Sequence, residues 1–329
     1  MGIAVGFPDL QPKGYEWFDD EPRFDPGVHL ALEMPAEIVS LDVLGYDEQE
    51  IASKATAVAL TSPFRILSDE GADTLRSVSY RLESFVKPAG DRIERMVRGG
   101  CYRSRWLRDL AISPEVTEHM SAIYGVEVAP HPMPLHLGHL NYPPSRLEEA
   151  VDKWHHDTLP LDYVMMVHDP ASLEGGRFEY FLGTKHEAAE LAANGQTPPR
   201  DRVVSPDFDG PGYAIALHGD MVVHRAAPLD APGERITMVN GYVAMDTSVD
   251  AQSRCADLTV VDDHEALYAE WAKFAAWRAA GRLETLIAEL EPTSDAELVA
   301  ASLEEAVFDV RLAIEEMRSG VQQAAHYEK

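Results

Sequence analysis

LDYVMMVHD (161–169), YAIALHG (213–219), DMVVHRAA (220–227) and RITMVNGYV (235–243) decide the fold. Each is a short run of β-branched, aromatic or alternating residues, bounded by the Pro, Gly and Asp clusters that make turns. LHLGHLNY (135–142) and GRFEYFLG (176–183) have the same character. Short strands at this spacing, from about Val126 to Met245, predict an antiparallel barrel or jelly roll.

The flanks read differently. Residues 1 to about 45 are rich in Pro, Gly and acidic side chains, which predicts an extended arm lying on the surface. In PFRILSDEGADTLRSVSYRLESFV (63–86) a short strand precedes a helix. Ser68 is placed to cap it, Asp69 and Glu70 favour its positive end, and Leu75, Val78, Leu82 and Val86 recur at helical spacing. A second helix is expected from Pro114 to Tyr124. Beyond Asp262 the chain turns helical again, with a capping-box pattern at Ser294-Asp295-Ala296-Glu297. One apolar stripe through Leu303, Ala306, Val307, Val310, Ile314 and Met317 is expected to pack. The predicted organisation is a single domain over 1–329: an arm and helices (1–125), a β core (126–245) and C-terminal helices (246–329). Helices from both ends buttress a mainly β core.

The chain has 329 residues, with 28 Lys and Arg against 56 Asp and Glu, a net charge of −28. Such a field repels phosphate backbones and anionic membrane surfaces, so no nucleic acid and no membrane partner is expected. Two cysteines are too few for a disulfide framework. No apolar run approaches the roughly 20 residues that span a bilayer. A cytoplasmic protein is the expectation.

Within the β block, His155 and Asp157 in WHHD (154–157) stand two apart, so in an extended segment both project to one face. His156 between them points the other way and is assigned a structural role. Two imidazoles and one carboxylate can hold Fe(II) on one face of its coordination shell, and His224 in GDMVVHR is the second imidazole. His218-Gly219-Asp220 is a rival His-X-Asp pair, but Gly219-Asp220 reads as a turn that carries His218 away from the strand of His224. His168-Asp169 and His186-Glu187 are adjacent pairs whose side chains diverge in a strand.

Ten residues lie between His224 and Arg235, and Thr237 follows two further on. On neighbouring antiparallel strands Arg235 and Thr237 project to one side and can bind a carboxylate together. This order resembles the Fe(II)- and 2-oxoglutarate-dependent dioxygenases. The stretches SPFRILSDEGADTLR, WHHD, GGRFEYFLGTKHE, GDMVVHRAAPL and RITMVNGY resemble in particular the phytanoyl-CoA dioxygenase-like branch, over roughly residues 60 to 245. Leu182 departs from the proline usual before the Gly183-Thr184-Lys185-His186 turn.

The resemblance implies that His155, Asp157 and His224 ligate Fe(II), that Arg235 takes the distal carboxylate of 2-oxoglutarate with Thr237 assisting, and that dioxygen is the third reactant. Asp157 distinguishes the chain from halogenating relatives, which lack this carboxylate. Hydroxylation of a small molecule, an amino acid or a natural-product intermediate, is the expected outcome, with desaturation or ring closure as alternatives. Asn141 is the candidate polar contact to the co-substrate. His139, Tyr163, Met165, Phe178 and Tyr180 are candidate substrate contacts. Arg177 and Lys185 are expected on solvated faces. The cluster Arg103, Arg105, Arg108 is expected to form ion pairs, with recognition of an anionic substrate group as the alternative. A cupin-like metal-binding protein without oxygenase activity, or a metal isomerase or hydrolase, would retain the barrel but leave Arg235 and Thr237 without work.

Overall fold

The computed structural model describes residues 4–147, 149–249, 253–323 and 326–328. Eight strands form its centre: β1 (His139–Asn141), β2 (Ala150–His155), β3 (Leu161–Met166), β4 (Phe178–Phe181), β5 (Val203–Val204), β6 (Tyr213–Leu217), β7 (His224–Pro228) and β8 (Thr237–Ala244). They pair antiparallel as β1 with β8, β2 with β7, β3 with β6 and β4 with β5. β8 also pairs with β3, and β7 with β4. The result is a larger sheet containing β6-β3-β8-β1 and a smaller sheet ordered β5-β4-β7-β2. A long hairpin folded back across two sheets in this way is a double-stranded β-helix, the cupin-like jelly-roll form of the two that the turn-bounded runs allow.

The larger sheet is wider than the jelly roll alone. Strands Ile38–Ser40 and Val58–Thr61 extend it beyond β6, and Ile93–Val97 and Lys87–Ala89 extend it beyond β1. The first third is therefore not only the arm and helices expected of it. These strands are three to five residues long, too short to show a period, and only their pairing defines them.

Strand parity sorts the residues of the larger sheet. Leu140, Tyr163, Met165, Met238 and Tyr242 face outward into a core with helices α1 (Asp69–Leu82), α2 (Arg105–Ala111) and α3 (Pro114–Tyr124), where Leu75, Trp106 and Val116 are buried. Val164, Met166, Ile215, Leu217 and Val239 face the smaller sheet and form a second cluster with Phe178 and Tyr180. The helices start where their caps dictate. The Ser68 hydroxyl accepts from the Gly71 amide at 3.0 Å, and Ser113 caps α3 with Pro114 in its first turn. Gly125, at φ 69°, closes α3 in the left-handed conformation that disfavours a side chain. Val86 lies past the end of α1, after a short 3-10 turn.

The N-terminal arm lies along α2, and this explains the arginine cluster. Arg103 sits over the rings of Tyr15 and Phe85 at 4.5 and 3.7 Å, and Arg105 over Trp17 at 4.9 Å. Arg108 lies 5.2 Å from Trp17 and pairs with Asp109. Cation–π contacts with the arm, more than ion pairs, occupy these guanidinium groups.

At the other end, helix α4 (His264–Glu289) packs Trp271, Phe274 and Ala275 against Met133 and Val243. The expected single stripe is instead divided between α5 (Ala296–Ala306) and α6 (Phe308–Ser319), which break at Val307. Ala306 and Ala313 are buried, but Leu303 and Ile314 are 49% and 40% exposed, so the stripe does not pack as a whole. The cap of α5 is Asp295, which accepts from the Glu297 and Leu298 amides, rather than Ser294. Among the described residues no helix is long and apolar enough to cross a membrane.

Leu140 of β1 is fully buried in the core that the larger sheet forms with α1, α2 and α3. Leu140→Ala should cost about 2–5 kcal/mol through lost burial and the cavity left behind. The check is a fall in the urea midpoint; an unchanged midpoint would contradict this packing.

Candidate metal centre

β2 and β7 carry the two imidazoles. They lie opposite each other in register, His155 against His224, so both rings leave the same face and their centroids stand 4.2 Å apart. Asp157 follows two residues beyond the end of β2. Its carboxylate lies 3.3 Å from His155 Nε2 and 3.5 Å from His224 Nε2. One ligand atom from each of the three lies within 4.8 Å of the others, and this is the group able to hold a metal ion among the described residues. A d-block cation with borderline-soft preferences suits two imidazoles and a carboxylate.

The backbone makes this approach possible at Gly219. The Asp157 amide donates to the Gly219 carbonyl at 2.8 Å, which ties the ligand segment to the turn before β7. A Cβ on Gly219 would come within 2.4 Å of Asp162 Oδ2 and 2.5 Å of the Leu159 carbonyl. The same turn removes the rival pair from the centre. His218 faces the Val58 carbonyl, and Asp220 binds Lys54 at 3.0 Å with Lys185 nearby. His168 and His186 meet Glu234 and Glu50 instead.

The electrostatics suit a cation. Burial, and then the neighbouring His155, lowers His224 to about 4, so its ring is neutral and its lone pair available. Burial alone would raise the Asp157 carboxyl, but His224, His155 and Arg92 hold it well below the ordinary carboxylate range. The Nδ1 atoms of His155 and His224 lie 2.6 Å from the Lys153 carbonyl and 3.0 Å from the Val222 carbonyl, which directs both Nε2 atoms inward.

Two further residues belong here that the motifs do not contain. Asp152 lies 3.3 Å from His155 Nδ1 and is gripped by Arg92 through two hydrogen bonds, at 2.7 and 2.9 Å. Arg92 also stands 3.5 Å from Asp157. In a regular strand Asp152 and His155 would face opposite ways. A bulge in β2 opposite β7, where three residues of β2 span two of β7, brings them to one face. The available signal was a lone aspartate in a strand, which requires a partner once buried.

Arg235 closes the opposite side. It is 2% exposed, and its Nε donates to the Gly176 carbonyl at 2.5 Å. Gly176 has φ 64°, and a Cβ there would meet Leu229 and the Arg235 side chain. Burial lowers the Arg235 guanidinium to about 10, so it stays protonated at neutral pH. Its Nη1, the Asn141 Oδ1 and the His139 Nδ1 are buried with no hydrogen-bond partner among the described residues. Thr237 pairs with Asn141 and Val239 with His139, so these side chains share the space between Arg235 and the imidazoles. A buried guanidinium with an unpartnered N–H, beside an unpaired amide, is a site that a small diacid would complete.

The remaining candidates divide by strand face. Phe178 lines the space and stacks on His224, with centroids 5.5 Å apart. Tyr180 faces inward, opposite His224 in the register of β4 and β7, and belongs to the apolar cluster that holds Leu41, Leu44 and Leu217. Tyr163 and Met165 point to the helices on the far side of the larger sheet, and Val164 takes the inward position. β3 is buried on both faces, so its sequence has no alternation to show which residues face the site. His156 is turned outward, 2.6 Å from the Tyr327 hydroxyl. Arg177 is an exposed partner of Asp207, and Lys185 lies near Asp220. At Leu182 the chain passes into Thr184, whose hydroxyl caps the helix Lys185–Ala193.

No family model matches this chain, and no curated protein matches it. Solved structures with some likeness include the non-heme alpha ketoglutarate dependent epimerase SnoN from nogalamycin biosynthesis, at 14% identity and TM-score 0.42 over 56% of this chain and 78% of that one. EctD from S. alaskensis with 2-oxoglutarate and 5-hydroxyectoine matches at 18% identity and TM-score 0.41, over 73% and 87%. HygX from Streptomyces hygroscopicus with nickel, 2-oxoglutarate and hygromycin B bound matches at 14% and TM-score 0.38, over 61% and 88%. Likeness of this extent says nothing about chemistry, which rests on the side chains described above.

Asp152→Asn keeps the shape of residue 152 but removes the charge that holds Arg92 and faces His155. Metal affinity, followed by calorimetric titration with Co(II), should fall about 10- to 100-fold. Affinity equal to wild type would show that Asp152 does not orient the ligand.

Proposed function

We propose that the protein is a non-heme Fe(II)- and 2-oxoglutarate-dependent oxygenase acting on a small molecule. The observation that carries the reading is the pairing, in the lining of one pocket, of the His155, Asp157 and His224 group with a buried arginine whose Nη1 has no partner among the described residues. A metal held only for structure needs no such arginine. A Lewis-acid isomerase or hydrolase gives Arg235, Thr237 and Asn141 no diacid to bind.

In this reading His155, Asp157 and His224 hold Fe(II) through one face, and Arg235 with Thr237 takes the far carboxylate of 2-oxoglutarate. With dioxygen, the bound pair supplies an oxidative decarboxylation to succinate and CO2 coupled to oxidation of a substrate C–H bond. The chain's own contribution is placement. Arg235 sets the depth of the co-substrate, and its charge-assisted contact is worth roughly 1.5–3 kcal/mol. Asn141 and His139 line the route between the arginine and the imidazoles, and Phe178 covers His224 and excludes water from that side. Asp157 occupies the position that a halogenating enzyme leaves to chloride. Hydroxylation is accordingly the expected outcome, with desaturation or ring closure following from a different placement of substrate.

Anaerobic addition of Fe(II) and 2-oxoglutarate should produce the visible charge-transfer band of the chelate. His224→Ala should abolish the band, and Arg235→Ala should raise the 2-oxoglutarate concentration needed for half-saturation at least tenfold, as a loss of about 1.5 kcal/mol or more requires. Absence of the band in wild type, or an unshifted half-saturation in Arg235→Ala, would refute the assignment.

A further inference from the structure

β2 is the edge strand of the smaller sheet, and it carries His155. An edge strand leaves one row of amides and carbonyls unpaired, and such an edge is normally covered or blunted. Here the cover comes from the far end of the chain. The Tyr327 amide donates to the Trp154 carbonyl at 2.7 Å, and the Trp154 amide donates to the Glu328 carboxylate at 3.2 Å. Both backbone groups of the residue before His155 are thereby taken by residues 327 and 328.

The side chains extend the grip. His156 Nδ1 lies 2.6 Å from the Tyr327 hydroxyl, and Arg254 Nη1 lies 3.3 Å from His156 Nε2. Arginine has only donors, so Nε2 accepts and Nδ1–H donates to Tyr327. The Arg254 amide also donates to the Thr158 hydroxyl at 2.7 Å. The Tyr327 ring packs against the cluster of Trp154, Phe181, Ala188 and Val223. His326 reaches Asp91 at 3.1 Å, next to Arg92, the residue that grips Asp152 and approaches Asp157.

We propose that the C-terminal segment around Tyr327 is a strap that positions the metal-ligand segment Trp154–Asp157 from its outer side. This rests on the reading of His155, Asp157 and His224 as metal ligands. Tyr327 touches no ligand atom and acts through Trp154 and His156, so it is a positioning residue. Its removal should loosen the geometry of the centre and leave the remainder of the jelly roll in place.

Co(II) serves as the probe, because its visible d–d absorption reports coordination geometry independently of turnover. Metal-free wild type, Tyr327→Phe, Tyr327→Ala and His155→Ala are titrated with Co(II), and amide exchange across residues 151–159 is followed without metal. Tyr327→Ala should weaken Co(II) binding about 10- to 100-fold, the range seen when outer supports of a ligand are lost. It should also alter the d–d spectrum and speed exchange at residues 154–157, with the metal-free thermal midpoint near that of wild type. Tyr327→Phe, which keeps the ring against Trp154 but loses the hydroxyl that meets His156, should recover part of the affinity that Tyr327→Ala loses. Wild-type affinity and spectrum in Tyr327→Ala would overturn the proposal, and so would faster exchange with affinity unchanged, which reduces the segment to a cover. If wild type binds Co(II) no better than His155→Ala, the metal reading itself falls and the strap falls with it.

Discussion

Everything at the metal centre depends on one register: His155 of β2 lying opposite His224 of β7. Side chains alternate along a strand, so a slip of one residue would turn one imidazole to solvent. The register is held from several directions. β7 pairs with β4 on its other side, placing Tyr180 opposite His224 and Phe178 opposite Ala226. The Asp157 amide is bound by Gly219, five residues before His224, so the strand and the loop that supply the ligands are tied at the point of closest approach.

The second constraint is charge. A chain carrying net −28 brings three arginines to a buried group containing Asp152 and Asp157; Arg225 pairs with Glu179, which leaves Arg92 and Arg235 to face the group. Buried carboxylates persist as anions only where cationic partners or a metal repay desolvation. Arg92 supplies that to Asp152, whose carboxyl burial would raise but Arg92 holds below its ordinary range. Among the described residues Arg235 has no carboxylate hydrogen-bond partner, and it lines the same pocket as the imidazoles. The two guanidinium groups are therefore placed differently: Arg92 is paired with Asp152 and stands beside Asp157, whereas the Arg235 Nη1 has no partner among the described residues.

Much of this was legible in the chain, because the relevant patterns are local. Alternation bounded by turns marks the jelly-roll strands, Ser68 and Pro114 mark helix starts, and the two-residue spacing of His155 and Asp157 marks a shared face. What escaped reading depends on partners distant in sequence. Asp152 joins His155 only through a bulge that parity cannot foresee, and Arg92 lies sixty positions before it. Tyr163 and Met165 face the helices and not the site, a side that the sequence does not reveal because β3 is buried on both faces. The strands of the first third acquire their identity from the sheet they extend. The stripe through Leu303 and Ile314 is continuous in sequence but broken in space at Val307.

The central claim, that Arg235 faces the far carboxylate of a 2-oxo diacid bound beside His155, Asp157 and His224, is tested most directly by comparing two ligands on metal-loaded protein. Anaerobic calorimetry with 2-oxoglutarate and with 2-oxobutyrate, which keeps the chelating group but lacks the second carboxylate, measures what that carboxylate contributes. A preference for 2-oxoglutarate on the order of 10- to 100-fold, lost in Arg235→Ala, is the predicted result. Equal affinity for the two, or a preference that survives Arg235→Ala, would contradict it.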